Sequence, residues 1–407
     1  MDALSWFQQF TAKPRNRWLF ILFFLFPVIG NVISRLTKGR WWLVDFDAVI
    51  CAAHTIRLGH SPYSLMPACT GIQPTTFVYA PQIAHAFAPL EHAFGLMGAR
   101  WGFAILYLPV MMFLVWYAVW KPMAGAPWQL RLMTLAAMVG SVISCGNIGL
   151  VMHALAILAA FQLRRSRLPF IAIVILGGLI KPTFLTYLVV LLLENRPILA
   201  RVRSFALAAT AGMAAITVLL VTAGPFSPDW HNALNAVVIV QQPGIGFFAT
   251  TTALGMNTAS PVTLAAFALF SILMILAALI LAEWSGLRSE ERMVFALGAA
   301  QLLNPRLMDY DMFALAPFAA ILVMTAKPLG ARTFRWASWI FASTLVACVV
   351  SNILEIRAIH RAPVAVCVYG LLMLGIAGLT VWRQRERLRA GLRNPMPVWQ
   401  DILSQRL

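Results

Sequence analysis

Trp41-Trp42-Leu43-Val44-Asp45-Phe46-Asp47 follows the first long apolar run of the chain and opens a segment, reaching Pro89-Leu90, that no bilayer could hold. It places Asp45 and Asp47 at a membrane surface, in a chain with only 14 Asp and Glu among 407 residues. A carboxylate there is costly unless it has a partner or a task. Which of the two acids has the task, and what the rest of the chain does for it, organises the reading that follows.

Working outward, 61% of the residues are hydrophobic and 11% charged, where soluble domains carry about 25% charge. Mean hydropathy is +0.80. These values describe a polytopic membrane protein. The formal net charge of +17 does not indicate a nucleic-acid partner, because the Lys and Arg residues lie in short loops rather than on a soluble basic module. The five cysteines form no CxxC or His-Cys metal spacing. Cys51 and Cys69 share one loop, so they are either free thiols or a disulfide formed in an oxidising compartment. Lys13, Arg15 and Arg17 precede an apolar run without a small-residue cleavage site, which reads as an uncleaved first helix.

The apolar runs cover 18–34, 100–120, 129–146, 148–163, 168–180, 183–194, 204–222, 261–282, 291–303, 310–326, 336–352 and 363–382. Several fall short of the roughly 20 residues a straight spanning helix needs. The pairs 168–180/183–194 and 291–303/310–326 each read as two helices or one broken span, giving 10–12 transmembrane helices. With a cytoplasmic N-terminus every inner segment is basic, from Lys13, Arg15 and Arg17 to Arg383, Arg385 and Arg387, as the positive-inside rule requires. The expectation is one membrane domain, 1–382, with outer loops about 35–99 and 223–260, and a basic cytoplasmic tail, 383–407. Within the outer loops, Ala48–Leu58, Pro81–Met97 (split at Pro89) and Trp230–Gln241 have the spacing of surface helices.

The outer polar residues form the list of candidates. Asp45-Phe46-Asp47 has the form of a metal-nucleotide DxD motif, but sugar nucleotides are cytoplasmic and this loop faces away. It reads instead as one buried working acid and one solvated acid, unless Asp45 only caps the following helix. Lys181-Pro182-Thr183 interrupts an apolar stretch. Such a break frees backbone around a cavity and presents a cation, although a lysine at this depth can also snorkel. Asn304-Pro305-Arg306-Leu307-Met308-Asp309-Tyr310-Asp311 is the densest polar turn. There Arg306 suits a phosphate, and Asp309 or Asp311 could pair with it or cap the next helix. Gly146-Asn147 makes a short outer turn. His54, His60, His85, His92 and His231 all lie outside, and His153 lies within a helix where packing accounts for it. Tyr63, Phe77, Tyr79, Trp101 and Trp230 sit where interfacial aromatics anchor a belt or stack on a sugar.

In order along the chain, Asp45-Phe46, Gly59-His60-Ser61-Pro62-Tyr63, Phe77-Val78-Tyr79-Ala80-Pro81, Ala88-Pro89-Leu90, Lys181-Pro182 and Asn304-Pro305-Arg306 resemble the outer-loop motifs of glycosyltransferase family 87. The resemblance runs from about 41 to 326. It departs at Ala80, where the family usually has the first of two prolines, and at Gly146-Asn147, where it commonly has Gly-Gln. It implies an all-α GT-C fold with the active site at the outer face of the cytoplasmic membrane. It also implies a polyprenyl-phosphate-linked sugar donor such as the mannose ester, a glycan or glycolipid acceptor, and inversion at the sugar. Asp45 falls on the family's catalytic base, and Lys181 and Arg306 would take the donor phosphate. Asp47, His54, Tyr63, Tyr79, Asn147, His231, Asp309 and Tyr310 are the remaining candidates for substrate contacts. No cofactor, nucleotide or metal is called for. The competing readings are a transporter or flippase for a lipid-linked or polar solute, and a structural subunit of an envelope complex.

Overall fold

In the computed structural model each of the twelve apolar runs holds a helix within its described residues. The residues described are 1–37, 42–121, 126–137, 144–241, 244–308, 311–354, 365–386 and 389. Among them there is no strand. The helices are α1 (Ala3–Phe10), α2 (Pro14–Thr37), α3 (Val44–Arg57), α4 (Pro81–Val119), α5 (Trp128–Ala137), α6 (Ile148–Ala160) and α7 (Leu168–Ile180). A 3-10 helix, Pro182–Leu192, follows. Then come α8 (Ile198–Val221), α9 (Ser227–Ala233), α10 (Phe247–Ala253), α11 (Pro261–Trp284), α12 (Ser289–Leu302), α13 (Met312–Thr325), α14 (Ala331–Ile353) and α15 (Gly370–Arg383).

Four described stretches are long and apolar enough to cross a membrane: Pro81–Val119, Ile198–Val221, Pro261–Trp284 and Ala331–Val350. Their outer surfaces carry large apolar side chains, among them Ile105 at 77% exposure, Met112 at 66%, Leu207 at 64% and Val262 at 69%. So much apolar surface is ordinary against lipid and untenable in water. α2, with 24 residues, is not among these four, and Ile148–Ala160, Leu168–Ile180, Pro182–Leu192, Phe313–Leu329 and Cys367–Arg383 are shorter apolar stretches, so the expected 10–12 crossings are matched by four stretches long and apolar enough to span.

The short helices pair, and the pairing decides where the functional site can lie. α7 has 13 residues and the 3-10 helix 11. At 1.5 and 2.0 Å per residue both are about 20 Å long. They form a hairpin rather than one broken span, because Arg167 and Glu194 close their far ends with an ion pair of 2.8 Å. α12 and α13 do the same: Phe295 packs on Phe318 with ring centroids 5.2 Å apart. Lys181 tops the first hairpin and the turn 303–311 tops the second, while Asn147 begins α6 beside them. Legs of about 20 Å are shorter than a hydrocarbon core of about 30 Å, and residues of all three tips, Asn147, Lys181 and Arg306, meet around one space.

At the opposite ends the basic residues gather. Lys121 pairs with Glu290 at 3.4 Å, Arg201 with Glu283 at 2.7 Å, and Arg292 donates to Leu193 O at 2.5 Å. Arg164 meets Ser289, and Arg383 donates to Pro328 O at 3.1 Å. Of the residues assigned to inner loops by charge, Lys121, Arg164, Arg201 and Arg292 therefore gather at the ends of neighbouring helices.

The first outer loop roofs the other end. Its helix starts at Val44, four residues before the expected Ala48, and Leu43 precedes it in the left-handed region at φ 64°. Asp45 is thus in the first turn rather than at the cap. The second expected helix is not split at Pro89. It bends at Gly95, whose φ of +66° suits glycine alone, and so turns from a surface segment into the spanning half of α4. Cys51 and Cys69 form a disulfide. The second outer loop docks on the first, through Ser61–Asp229 at 2.6 Å and Trp230 Nε1 to Val78 O at 3.1 Å. Ile245 N donates to Leu307 O at 2.6 Å, which ties the second loop to the late polar turn as well.

Candidate functional site

Between the three tips and the roof lies a cavity of about 910 Å³. Asp45, Tyr79, Asn147, Lys181 and Arg306 all line it, with Val237, Phe248 and Met308 among its apolar walls. Five of the residues singled out in the sequence, from four separate stretches, therefore face one space.

Asp45 is held from two directions. Its backbone N–H donates to Cys145 O at 2.9 Å, and Leu43 N–H donates to Ser144 O at 2.8 Å. Its carboxylate accepts from Asn147 Nδ2 at 2.9 Å. The orientation of the Asn147 amide is fixed by its other end: Oδ1 accepts from Gly149 N at 2.8 Å, capping α6, so the NH2 group is left to face Asp45. Gly146 makes this approach possible. Its φ is +67°, and a Cβ there would lie 2.8 Å from Leu43 Cα. The turn read in the sequence as a chain reversal is the support for the carboxylate.

Tyr79 lines the same cavity beside this pair, near the Asn147 side chain. Burial first, and the Asp45 charge second, hold the phenol well above its ordinary range, so it stays protonated and able to donate. Tyr63 and Trp230, listed among sugar-stacking aromatics on sequence grounds, serve as braces. Tyr63 Oη donates to Tyr79 O at 2.8 Å, and Trp230 holds the adjacent Val78 O.

Lys181 faces the cavity with a side chain 14% exposed. Its Nζ lies 3.7 Å from Asp311 Oδ2, and both Asp45 and Arg306 are within electrostatic reach of it. Asp311 is fully buried and also accepts from Met308 N at 2.9 Å and Asn304 Nδ2 at 3.3 Å. Its other oxygen meets His153 Nε2 at 3.0 Å, and His153 Nδ1 meets Tyr187 Oη at 2.8 Å. Asp311 thus pairs with Lys181 and not with Arg306. Arg306 N–H donates to Asn304 Oδ1 at 3.1 Å, which shapes the turn carrying its side chain into the cavity.

Three expected site residues lie elsewhere. Asp47 is not the solvated acid of the pair. It is completely buried, 2.8 Å from Arg100 Nε, and accepts from Gln73 N at 3.4 Å. The partly exposed Asp45 is the one that meets the cavity. His54 binds Glu91 at 2.8 Å, next to the Arg57–Glu91 pair at 2.7 Å, and fastens α3 to α4. His231 is exposed and caps its own turn on Ser227 O at 2.7 Å. Among the described residues no three His, Cys, Asp or Glu side chains converge as a metal site would require. Asp309 and Tyr310 lie outside the described residues, as does the tail beyond 386 save Arg389.

Sequence reading missed the His153–Tyr187 pair. One signal was there: His153 is an ionisable side chain inside an otherwise apolar helix, six residues after Asn147, and such residues are costly without a purpose. No protein-family model matches the chain, and no curated protein or solved structure does either.

Proposed function

We propose that the chain is a membrane glycosyltransferase. On this reading it moves a sugar, mannose in the first instance, from a polyprenyl-phosphate donor to a glycan or glycolipid acceptor at the outer face of the cytoplasmic membrane. The observation that carries the reading is the composition of the polar cavity of about 910 Å³: a fixed carboxylate, Asp45, shares it with two cations, Lys181 and Arg306. A transfer from a lipid phosphate needs those two poles. Asp45 takes the proton from an acceptor hydroxyl as that oxygen attacks the anomeric carbon. The bond from that carbon to the phosphate oxygen breaks with its electron pair, and Lys181 and Arg306 stabilise the departing phosphate. Attack opposite the leaving group inverts the anomeric centre. Asn147 keeps the Asp45 oxygen directed during the approach, and the Tyr79 hydroxyl supplies a donor at the edge of the sugar position.

Two further features support this assignment. An apolar cavity of about 450 Å³, lined by Phe46, Phe87, Phe103 and Met152, shares Ile180 with the polar one. Asp45 therefore faces the polar space while Phe46 next to it faces an apolar one, which suits a substrate with a charged head and a hydrocarbon tail. The Cys51–Cys69 disulfide fits an oxidising compartment, and it lies in the same loop as Asp45. With the basic ends gathered opposite, both termini are then cytoplasmic.

The buried group Lys181, Asp311 and His153 favours a second reading, a transporter or flippase, since such proteins carry ionisable residues inside the helical body. Against it, Phe184 and Phe313 close around His153, with ring centroids 4.4 and 5.0 Å away, and the polar neighbour behind it, Tyr187, is itself fully buried. The experiment is reconstitution in liposomes with a radiolabelled polyprenyl-phosphate sugar and a membrane glycan extract. Label should pass to the glycan and free polyprenyl phosphate should accumulate. Movement of the lipid between leaflets without release of its phosphate would establish the flippase instead.

A further inference from the structure

The cavity accounts for Lys181, but not for the row of buried polar groups behind it. Asp311 Oδ2 meets the lysine ammonium, the Met308 N–H and the Asn304 amide, so Asp311 is an acceptor at every contact and carries a carboxylate. His153 Nε2, 3.0 Å from Oδ1, must then be the protonated nitrogen, and in the neutral imidazole Nδ1 accepts from Tyr187 Oη at 2.8 Å. Gln301 lies beside Tyr187, and its Oε1 has no partner among the described residues. The donors at Tyr187 and His153 therefore both point toward Asp311. All four side chains are buried. A buried polar group is retained only where its bonds are made. A His packed on Phe184 and Phe313 would be replaced at less cost by an apolar residue if packing were its only role.

The contact at the end of the row is long. Lys181 Nζ stands 3.7 Å from Asp311 Oδ2, beyond the 2.7–3.2 Å of an ordinary N–H···O bond. Asp311 is engaged by three other donors, and Lys181 also lines the cavity. We infer that His153, through Asp311, is a positioning residue for Lys181: it occupies Oδ1 of the carboxylate, so that the lysine remains directed at an anionic phosphate in the cavity. This inference rests on the proposed donor reading. Without the His153 donor, Oδ1 turns to the lysine, the ion pair tightens, and the cation withdraws from the ligand.

Histidine has two carboxamide replacements that separate its two bonds. In His153→Gln the amide nitrogen reaches the position of Nε2 and keeps the donor to Asp311. In His153→Asn the amide reaches only the position of Nδ1, keeping Tyr187 and losing Asp311. Packing loss is similar or greater for the smaller residue, so two readouts are needed. The first is equilibrium binding of polyprenyl phosphate, without sugar, to the purified full chain in nanodiscs. The second is KM for the polyprenyl-phosphate sugar against kcat. His153→Asn should weaken polyprenyl phosphate binding about tenfold and raise the donor KM by a similar factor, with the acceptor KM and thermal midpoint close to those of His153→Gln. His153→Gln should stay within about threefold of the natural chain. Should His153→Asn fail to fold, Asp311→Asn tests the same link from the other side: with the competing charge removed the lysine has no ion pair to withdraw to, so polyprenyl phosphate binding should be kept or strengthened, and its loss would count against the inference. Equal binding in the Asn and Gln variants, or loss seen only in proportion to a lowered thermal midpoint, would overturn the inference. A natural chain that binds no polyprenyl phosphate would instead sink the donor reading itself.

Discussion

Asn147 Nδ2 donates to Asp45 Oδ2 at 2.9 Å across 102 residues of sequence, and the amide can face no other way while its Oδ1 caps α6. The approach depends on Gly146 lying flat against Leu43. Gly146→Ala puts a methyl group against the Leu43 backbone at a φ that favours glycine, and must push residues 43–45 away from 145–147. A displacement of about 1 Å at a reacting group costs up to about 100-fold. Sugar transfer should fall 10- to 100-fold in Gly146→Ala while helical circular dichroism is retained. Unchanged transfer would show that Asp45 does not rely on this turn.

The two cations should act on the donor and not on the acceptor. Lys181→Ala and Arg306→Ala each remove a charge facing the developing phosphate, a kind of loss worth about 10²–10³ in rate. The kcat/KM for the polyprenyl-phosphate sugar should drop by that order, with the acceptor KM held within about twofold. Steady-state kinetics with both substrates varied provides the check, and unaltered donor dependence would clear both residues of the phosphate role.

Asp47 and Arg100 form a buried pair that joins α3 to α4, and Arg100 also donates to Trp42 O. Burial pushes the Asp47 carboxyl up against the pull of the arginine, so each ion depends on the other. Arg100→Leu should destabilise the fold by about 3–5 kcal/mol, the usual effect of stranding one buried ion, and the double variant Asp47→Leu/Arg100→Leu should regain most of it. Unfolding in detergent, followed by thermal midpoint, distinguishes this from simple additivity.

The disulfide reports on which side the first loop faces. In a chain keeping Cys51 and Cys69 but with Cys145, Cys348 and Cys367 replaced by serine, a membrane-impermeant maleimide should label intact cells only after an impermeant reductant is added. Labelling that requires permeabilised cells would place the loop, and Asp45 with it, in the cytoplasm. Reduction should also lower stability by about 3 kcal/mol, as expected for a bridge across a separation of 18 residues.

Hydropathy alone located the long apolar helices, because a helix in lipid must be apolar along its length and needs no distant partner to be so, whereas α1 and α10 lay outside every apolar run. The polar tips were legible for the same reason: Lys181, Asn147 and the 303–311 turn are breaks in apolar runs. Partner choice was not legible. Asp45 and Asp47 are two positions apart in the same helix turn, and only Arg100, 53 residues from Asp47, decides which is buried. Whether 168–180 and 183–194 continue or fold back depends on Arg167 meeting Glu194, a long-range contact that composition does not encode. The same is true of His153, whose two partners come from Tyr187 and from Asp311, 158 residues away.

The central claim is that the Asp45 carboxylate removes the proton from the acceptor. Asp45→Asn keeps the size and the backbone bond to Cys145 and removes only the basicity. Transfer of label from a polyprenyl-phosphate sugar to membrane glycan, measured in vesicles holding equal amounts of each chain, should fall by about 10²–10⁴-fold, the usual contribution of a general base, with polyprenyl phosphate binding retained. Transfer by Asp45→Asn at the rate of the natural chain would contradict the account.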